Sequence, residues 1–252
     1  MKFDQLFQSI LEEGLLCEAK EASESLKKTI AYLEKEEKVL LITTSNRPPS
    51  AKGDIPKSTQ LARFIQSQVG ANKCEIIDAA DLNILPCTGN VSSADGNHCG
   101  VKDALLKDKK KNPSGNHRCW VSWKHEDDEL WKISKALFES SCVIFFGPVR
   151  WGQMNGIYQK LIERLNWIEN RKTTLQEGNI VKNINAGIIV LGHNWRSKEV
   201  VETQKEVYKF FGFQVPSELS WYWQYSTNEN LETAESYKKD VKEFEKTFKL
   251  EY

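Results

Sequence analysis

The sequence predicts an α/β protein: a doubly wound parallel sheet with helices on both faces. Three observations carry that expectation. Short, nearly continuous apolar runs rich in β-branched residues recur along the chain, the pattern of strands buried on both faces. Each run is followed by a stretch with apolar residues at helical spacing. No internal repeat and no long interior linker divides the chain. Parallel neighbours need a crossover, and a helix after every strand supplies it.

The elements follow in order. Phe3, Leu6, Phe7, Ile10 and Leu11, then Leu26, Ile30 and Leu33, lie at helical spacing among Glu and Lys. They predict one or two amphipathic helices before the main domain, packed on its core or reaching to a partner subunit. KVLLITT (38–44) is the first strand, and STQLARFIQSQV (58–69) takes up helical periodicity. KCEIIDA (73–79) is the second strand, followed by a long aperiodic stretch from 80 to 125. HEDDELWKISKALFES (125–140) reads as a helix whose early acidic residues suit its dipole. SCVIFFG (141–147) is the third strand and NGIYQKLIERLNWIEN (155–170) its helix. NAGIIVLG (185–192) is the fourth strand, and SKEVVETQKEVYKFFG (197–212) is a helix closed by Gly212. A short strand is expected within VPSELSWYW (215–223), and ETAESYKKDVKEFEKTF (232–248) is a terminal helix. The resulting division is a helical extension over 1–37 and one domain over 38–252. Five strands place that domain among flavodoxin-like sheets, whose ligands bind beyond the carboxyl ends of the strands.

Composition narrows the function. The 252 residues include 35 basic and 35 acidic side chains, so no global basic field exists for nucleic acid or anionic lipid. No apolar stretch approaches the roughly 20 residues that span a bilayer. The start MKFDQLFQSILEEG lacks the basic head and small-residue cleavage site of a signal peptide, so the expected location is cytoplasmic. Six cysteines in a chain of this length do not form a disulfide scaffold.

In a parallel sheet, the loops after strands one, three and four gather on one edge. The first, TSNRPPSAKGDIPKST, carries Ser45, Arg47, Ser50 and Lys57, then Ser58 and Thr59 at a helix start. Hydroxyls, a guanidinium and free N–H groups at a helix N-terminus suit an anion, although a capped loop with solvated charges has the same look. The second, GPVRWGQMN, breaks the usual rule that turns are small and polar. Gly147 and Gly152 allow close approach of backbone, Pro148 fixes the turn, and Trp151 offers an aromatic face or caps the core. The N–H groups around Val149, Arg150, Gln153 and Met154 suit carbonyls and ring nitrogens of a planar heterocycle. The third loop follows Gly192 with His193, Asn194 and Trp195. Together these loops describe a site for an aromatic ring system with a phosphate tail, the shape of FMN.

Here the sequence resembles the flavodoxin-like NADPH-dependent FMN reductases, with a secondary similarity to iron–sulfur flavoproteins. The first loop of that family runs Gly/Thr-Ser-x-Arg and then Ser-x-Thr-x-x-Leu-Ala; Thr44, Ser45 and Arg47, and later Ser58, Thr59, Leu61 and Ala62, match, with PPSAKGDIP lengthening the loop. Its third-strand loop reads Pro-x-Tyr/Trp-Gly before a helix ending near Asp/Glu-Arg, matched by Pro148, Trp151, Gly152, Glu163 and Arg164. The resemblance spans about residues 38 to 212. It implies FMN as cofactor, NADPH or NADH as reductant, a small acceptor such as a quinone or free flavin, and a homodimer or higher homo-oligomer. The flavin would carry the chemistry, with no catalytic residue named. Arg150 is the expected cation for the reduced ring or for the nucleotide phosphate.

Cys87, Cys99 and Cys119, with His98 and His117, share the long loop. Iron–sulfur flavoproteins hold four closely spaced cysteines there, whereas these intervals are wide and lack paired C-x2–4-C spacing, so no metal is expected. Two other functions stay open: a flavodoxin-like electron carrier, and a cofactor-free interaction module using a rim of Trp120, Trp123, Trp195, Trp221 and Trp223.

Overall fold

The computed structural model describes residues 21–48, 55–89 and 91–248. The proposed helical residues Phe3 to Leu11 lie outside them, as does Ser50. Helix α1 runs through residues 21–33. Then follow β1 (Val39–Thr43), α2 (Lys57–Val69), β2 (Cys74–Asp78), α3 (Trp120–Lys124), α4 (Leu130–Phe138), β3 (Cys142–Arg150), β4 (Gln153–Met154), α5 (Gly156–Thr173), β5 (Asn185–Gly192), α6 (Ser197–Phe211), β6 (Ser220–Gln224) and α7 (Ala234–Phe248).

The sheet order is β2-β1-β3-β5-β6, with every neighbouring pair parallel. The strand direction of growth reverses between β1 and β3, the position where open α/β sheets leave a crevice. The strands alternate their side chains between two separate cores, as a period of two demands. Leu40, Ile42, Val143, Phe145, Ile188 and Val190 meet α4, α5 and α6 on one face. Val39, Leu41, Ile144, Phe146, Ile189 and Leu191 meet α1, α2 and α7 on the other. Leu26 and Leu33 of α1 are buried in that second core, so α1 packs on the sheet. Thr29 ties it down, donating to Glu218 O at 2.6 Å and accepting from Trp221 Nε1 at 2.9 Å.

Three local expectations change. The third strand does not stop at Gly147: β3 runs on to Arg150, with Pro148 in register with Leu191 of β5. It folds back through β4, pairing Val149 with Met154 and Arg150 with Gln153, so the turn is Trp151-Gly152 and Pro148 belongs to the strand. The helix expected from 125 starts only at Leu130, and no acidic residue occupies its first turn. Asp128 is drawn away by Arg164, a fully buried pair at 2.8 Å in which Ser122 and the Leu85 N–H also serve the carboxylate. Gly212 closes α6 as expected, at φ 104° with its N–H on the carbonyls of Tyr208 and Lys209.

The stretch 80–125 is built around that ion pair. Arg164 Nη1 donates to Leu85 O at 2.6 Å, and its other nitrogens reach Cys119 Sγ at 3.3–3.4 Å. Burial alone would raise the Asp128 carboxyl, but the hydrogen bonds from Arg164 and Ser122 outweigh it and hold it below the usual range.

Candidate functional site

The described parts of the loops after β1, β3 and β5 gather on one edge, and three side-chain systems organise them. The first joins loop one to the hairpin. Thr44 Oγ1 lies 3.0 Å from Asn155 Oδ1 and 2.9 Å from Phe146 O, while Asn155 Nδ2 donates to Thr44 O at 2.5 Å. Both residues are buried. A Cβ on Gly147 would stand 2.4 Å from Thr44 Oγ1 and 2.6 Å from Met154 Cε. Gly147 therefore makes room for this packing, not for a ligand, and the Met154 side chain belongs to the core.

The hairpin presents the second system. Trp151 (φ 52°) and Gly152 (φ 71°) are the two central residues of a two-residue turn, both left-handed as the right-handed twist of the strands prefers. Asn-Gly is the usual choice there. A bulky residue in that conformation costs about 1–2 kcal/mol, and Trp151 gains no burial in return, being 89% exposed. Arg196, at φ 54°, is a second left-handed non-glycine in the facing turn between β5 and α6. A Cβ on Gly152 would meet Arg196 Cδ at 3.1 Å and the Trp195 ring at 3.6 Å, so the two turns lie against each other. Arg150 and Gln153 are exposed, Pro148 and Val149 half-buried.

The third system turns part of loop three away from the crevice. His193 is stacked between Tyr225 (ring centroids 5.2 Å apart) and Tyr237 (4.1 Å). Its Nδ1 meets Asp240 Oδ2 at 2.6 Å and its Nε2 meets Leu231 O at 3.0 Å. Asn194 Nδ2 donates to Glu229 O, Leu231 O and Glu232 Oε1. Asp240 also pairs with Lys57, whose ammonium sits 5.1 Å over the Trp223 ring. His193, Asn194 and Lys57 thus strap the C-terminal segment to the sheet edge. Gly192 is buried and Trp195 half-buried at the Gly152 contact.

Of loop one, Ser45, Ser58 and Thr59 are buried and Arg47 is exposed. The Arg47 N–H reaches Ser45 Oγ at 3.5 Å. Helix α2 begins without a side-chain cap, since Pro56 supplies none. Thr59 Oγ1, in its first turn, is buried with no hydrogen-bond partner. An orphaned hydroxyl in an uncapped first turn has the donor chemistry for a phosphate, so the residues present fit one.

The long loop resolves differently. His117 is buried against Trp167, its Nδ1 2.7 Å from Ser134 Oγ, and burial pushes its imidazole down to about 3. Burial likewise pushes the Cys99 thiol up to about 12. Among the described residues no group of three or more His, Cys, Asp or Glu is arranged to hold a metal. The tryptophans do not form one rim: Trp221 and Trp223 are buried under α7, while Trp123 is 45% exposed beside Trp120. No described helix is long and apolar enough to cross a membrane.

No protein-family model matches the sequence, and no curated protein does. Among solved structures the chain is similar to RosB with the bound intermediate 8-demethyl-8-formylriboflavin-5′-phosphate, at 12% identity and TM-score 0.53, over 84% of this chain and 74% of that one. The fold is flavodoxin-like. Further similarities are an azoreductase from Bacillus anthracis (14% identity, TM-score 0.49, 84% and 97% covered) and an apo NADH:FMN oxidoreductase (10%, 0.44, 84% and 88%). In a flavodoxin-like sheet the crevice at the β1/β3 reversal is where a ligand binds, and here loop one and the hairpin border it.

Sequence reasoning missed Asn155, Arg196 and Tyr237, and took Thr44 as a motif residue without its partner. Asn155-Gly156 reads as a helix start, and nothing local shows that its amide crosses to Thr44. Arg196 was hidden by its ordinary composition; only its left-handed φ singles it out.

Proposed function

We propose that the chain is an FMN-dependent oxidoreductase that takes electrons from NADPH or NADH and passes them to a small acceptor. The observation that carries this reading is the pairing, across the β1/β3 reversal, of an uncapped helix start holding the orphaned Thr59 hydroxyl with an exposed, conformationally costly Trp151. One feature suits a phosphate and the other a flat ring. The flavin-phosphate derivative bound by RosB, which shares the fold, supports the same ligand class.

When bound, FMN supplies hydride acceptance and onward electron transfer. The chain supplies the rest. Thr59 and Ser58 donate to the phosphate from the first turn of α2, with Ser45 and Arg47 on loop one. The backbone groups of the hairpin that the β3–β4 pairing leaves free, about the Trp151-Gly152 turn, would meet the ring, and Trp151 and Trp195 would wall it from water. Gly192 keeps the end of β5 narrow. The two hydrogen bonds between Thr44 and Asn155 fix the phosphate loop against the ring loop, so the two halves of the ligand are met at a set separation. His193 and Asn194 act on the cofactor only by holding the C-terminal segment in place. Two further proposals come from the sequence pattern, one domain over 38–252 and a cytoplasmic location, and one from the resemblance, a homo-oligomer.

Purified protein supplied with FMN, then mixed anaerobically with NADPH or NADH, tests this by absorbance. Retained flavin bands that bleach with either nucleotide are expected. Retained flavin that neither nucleotide bleaches overturns the reductase reading in favour of an electron carrier. Failure to retain any flavin overturns the cofactor.

A further inference from the structure

Two guanidiniums stand at the ring side of the site, Arg150 within electrostatic reach of Tyr237. Arg150 is the last residue of β3, and Arg196 lies over the Trp151-Gly152 turn with its Cδ 3.1 Å from where a Gly152 Cβ would be. Both are exposed. Among the described residues neither is in an ion pair, whereas Arg118, Arg164 and Arg171 each pair with a carboxylate. The guanidinium carbon of Arg196 lies 5.8 Å from the Trp195 ring centroid, and Trp151 projects beside them into solvent. The chain holds this group in place with two left-handed non-glycine residues, Trp151, which is 89% exposed, and Arg196.

We propose that Arg150 and Arg196 bind the anionic group of a second, aromatic reactant, whose ring lies along Trp151 and Trp195. The ligand class is an aromatic ring carrying a phosphate, sulfonate or carboxylate. Arginine suits each of these through a forked, charge-assisted pair of hydrogen bonds, and indole suits the ring. The inference rests on the oxidoreductase reading for what the reactant does there, but not for its binding. One chemistry has two sources: the phosphate-bearing end of a nucleotide donor, or an acceptor with an acidic substituent.

The test is calorimetry with non-reacting probes on the full chain, with and without FMN. One pair is adenosine 2′,5′-bisphosphate against adenosine 5′-monophosphate. The other is naphthalene-2-sulfonate against the neutral naphthalene-2-methanol. In at least one pair the more anionic probe is expected to bind at least about tenfold tighter, with tryptophan fluorescence reporting ring contact. The preferred pair names the source. Arg196→Asn, which tolerates the left-handed backbone, and Arg150→Gln should each remove most of the preference; circular dichroism checks that both variants are folded. No preference in either pair, or a preference unchanged in both variants, overturns the proposal. A protein that binds FMN and bleaches with nucleotide yet shows no preference leaves the oxidoreductase reading standing. A protein that takes no flavin but shows the preference does the reverse.

Discussion

Asn155 and Thr44 are hydrogen-bonded to each other in both directions, side chain to side chain at 3.0 Å and side chain to carbonyl at 2.5 Å. The pair closes the crevice between β1 and β3 from below, under Gly147. Asn155→Ala leaves the buried Thr44 carbonyl without that donor, and a loss of about 1–3 kcal/mol is expected. The urea midpoint measures it. Flavin affinity should fall further than stability alone accounts for, because the two loops lose their common anchor.

Asp240 joins loop one to loop three by holding Lys57 and His193 at once. With Asp240 buried and Lys57 largely so, Asp240→Asn should cost about 2 kcal/mol. A double-mutant cycle with Lys57→Met separates the ion pair from the histidine contact. A coupling energy near zero would show that the ion pair with Asp240 does not hold Lys57 in place.

Trp151 trades stability for a surface. Trp151→Asn puts a residue tolerant of the left-handed region into the turn and should raise stability by about 1 kcal/mol while weakening flavin binding. Thermal unfolding and a flavin titration on the same variant give the two signs. A loss of stability would mean that the indole is packing, not waiting.

His117 makes the fold acid-sensitive. Its folded-state value of about 3 lies below the ordinary 6.5, so between these the unfolded chain carries a proton that the native chain does not. Stability therefore falls as pH drops from 6.5 toward 3, by up to about 1.4 kcal/mol per pH unit from this group. His117→Asn should show a shallower decline in urea midpoints over that window. Identical slopes would place the histidine's proton elsewhere.

The sheet was legible because fully buried strands write themselves as apolar runs: Val39–Thr43 and Cys142–Phe146 are buried throughout. The end of β3 was not, because Gly147 and Pro148 look like a stop. The pairing that carries the strand on to Arg150 is with Leu191 of β5 and with β4. Helix α4 lost its first turn for a related reason: Asp128 answers a charge 36 residues away, which no local window contains. The chemistry of the first two loops was visible as residue types, yet their use was not. Lys57, His193 and Asn194 look like ligand-binding groups until α7 and the segment from Glu229 to Glu232 before it are folded over them. Conversely Arg196 looks like an ordinary surface charge until its backbone is seen.

The most direct measurement is a paired titration of the purified protein with FMN and riboflavin, followed by flavin fluorescence, in the native chain and in Thr59→Val. The valine variant should be at least as stable as the parent, since it removes a buried hydroxyl that has no partner. If the first turn of α2 holds the phosphate, FMN binds tighter than riboflavin by about a hundredfold, and the gap narrows in the variant. Equal affinities for the two flavins, or no binding of either, contradict a phosphate-anchored flavin at the β1/β3 crevice.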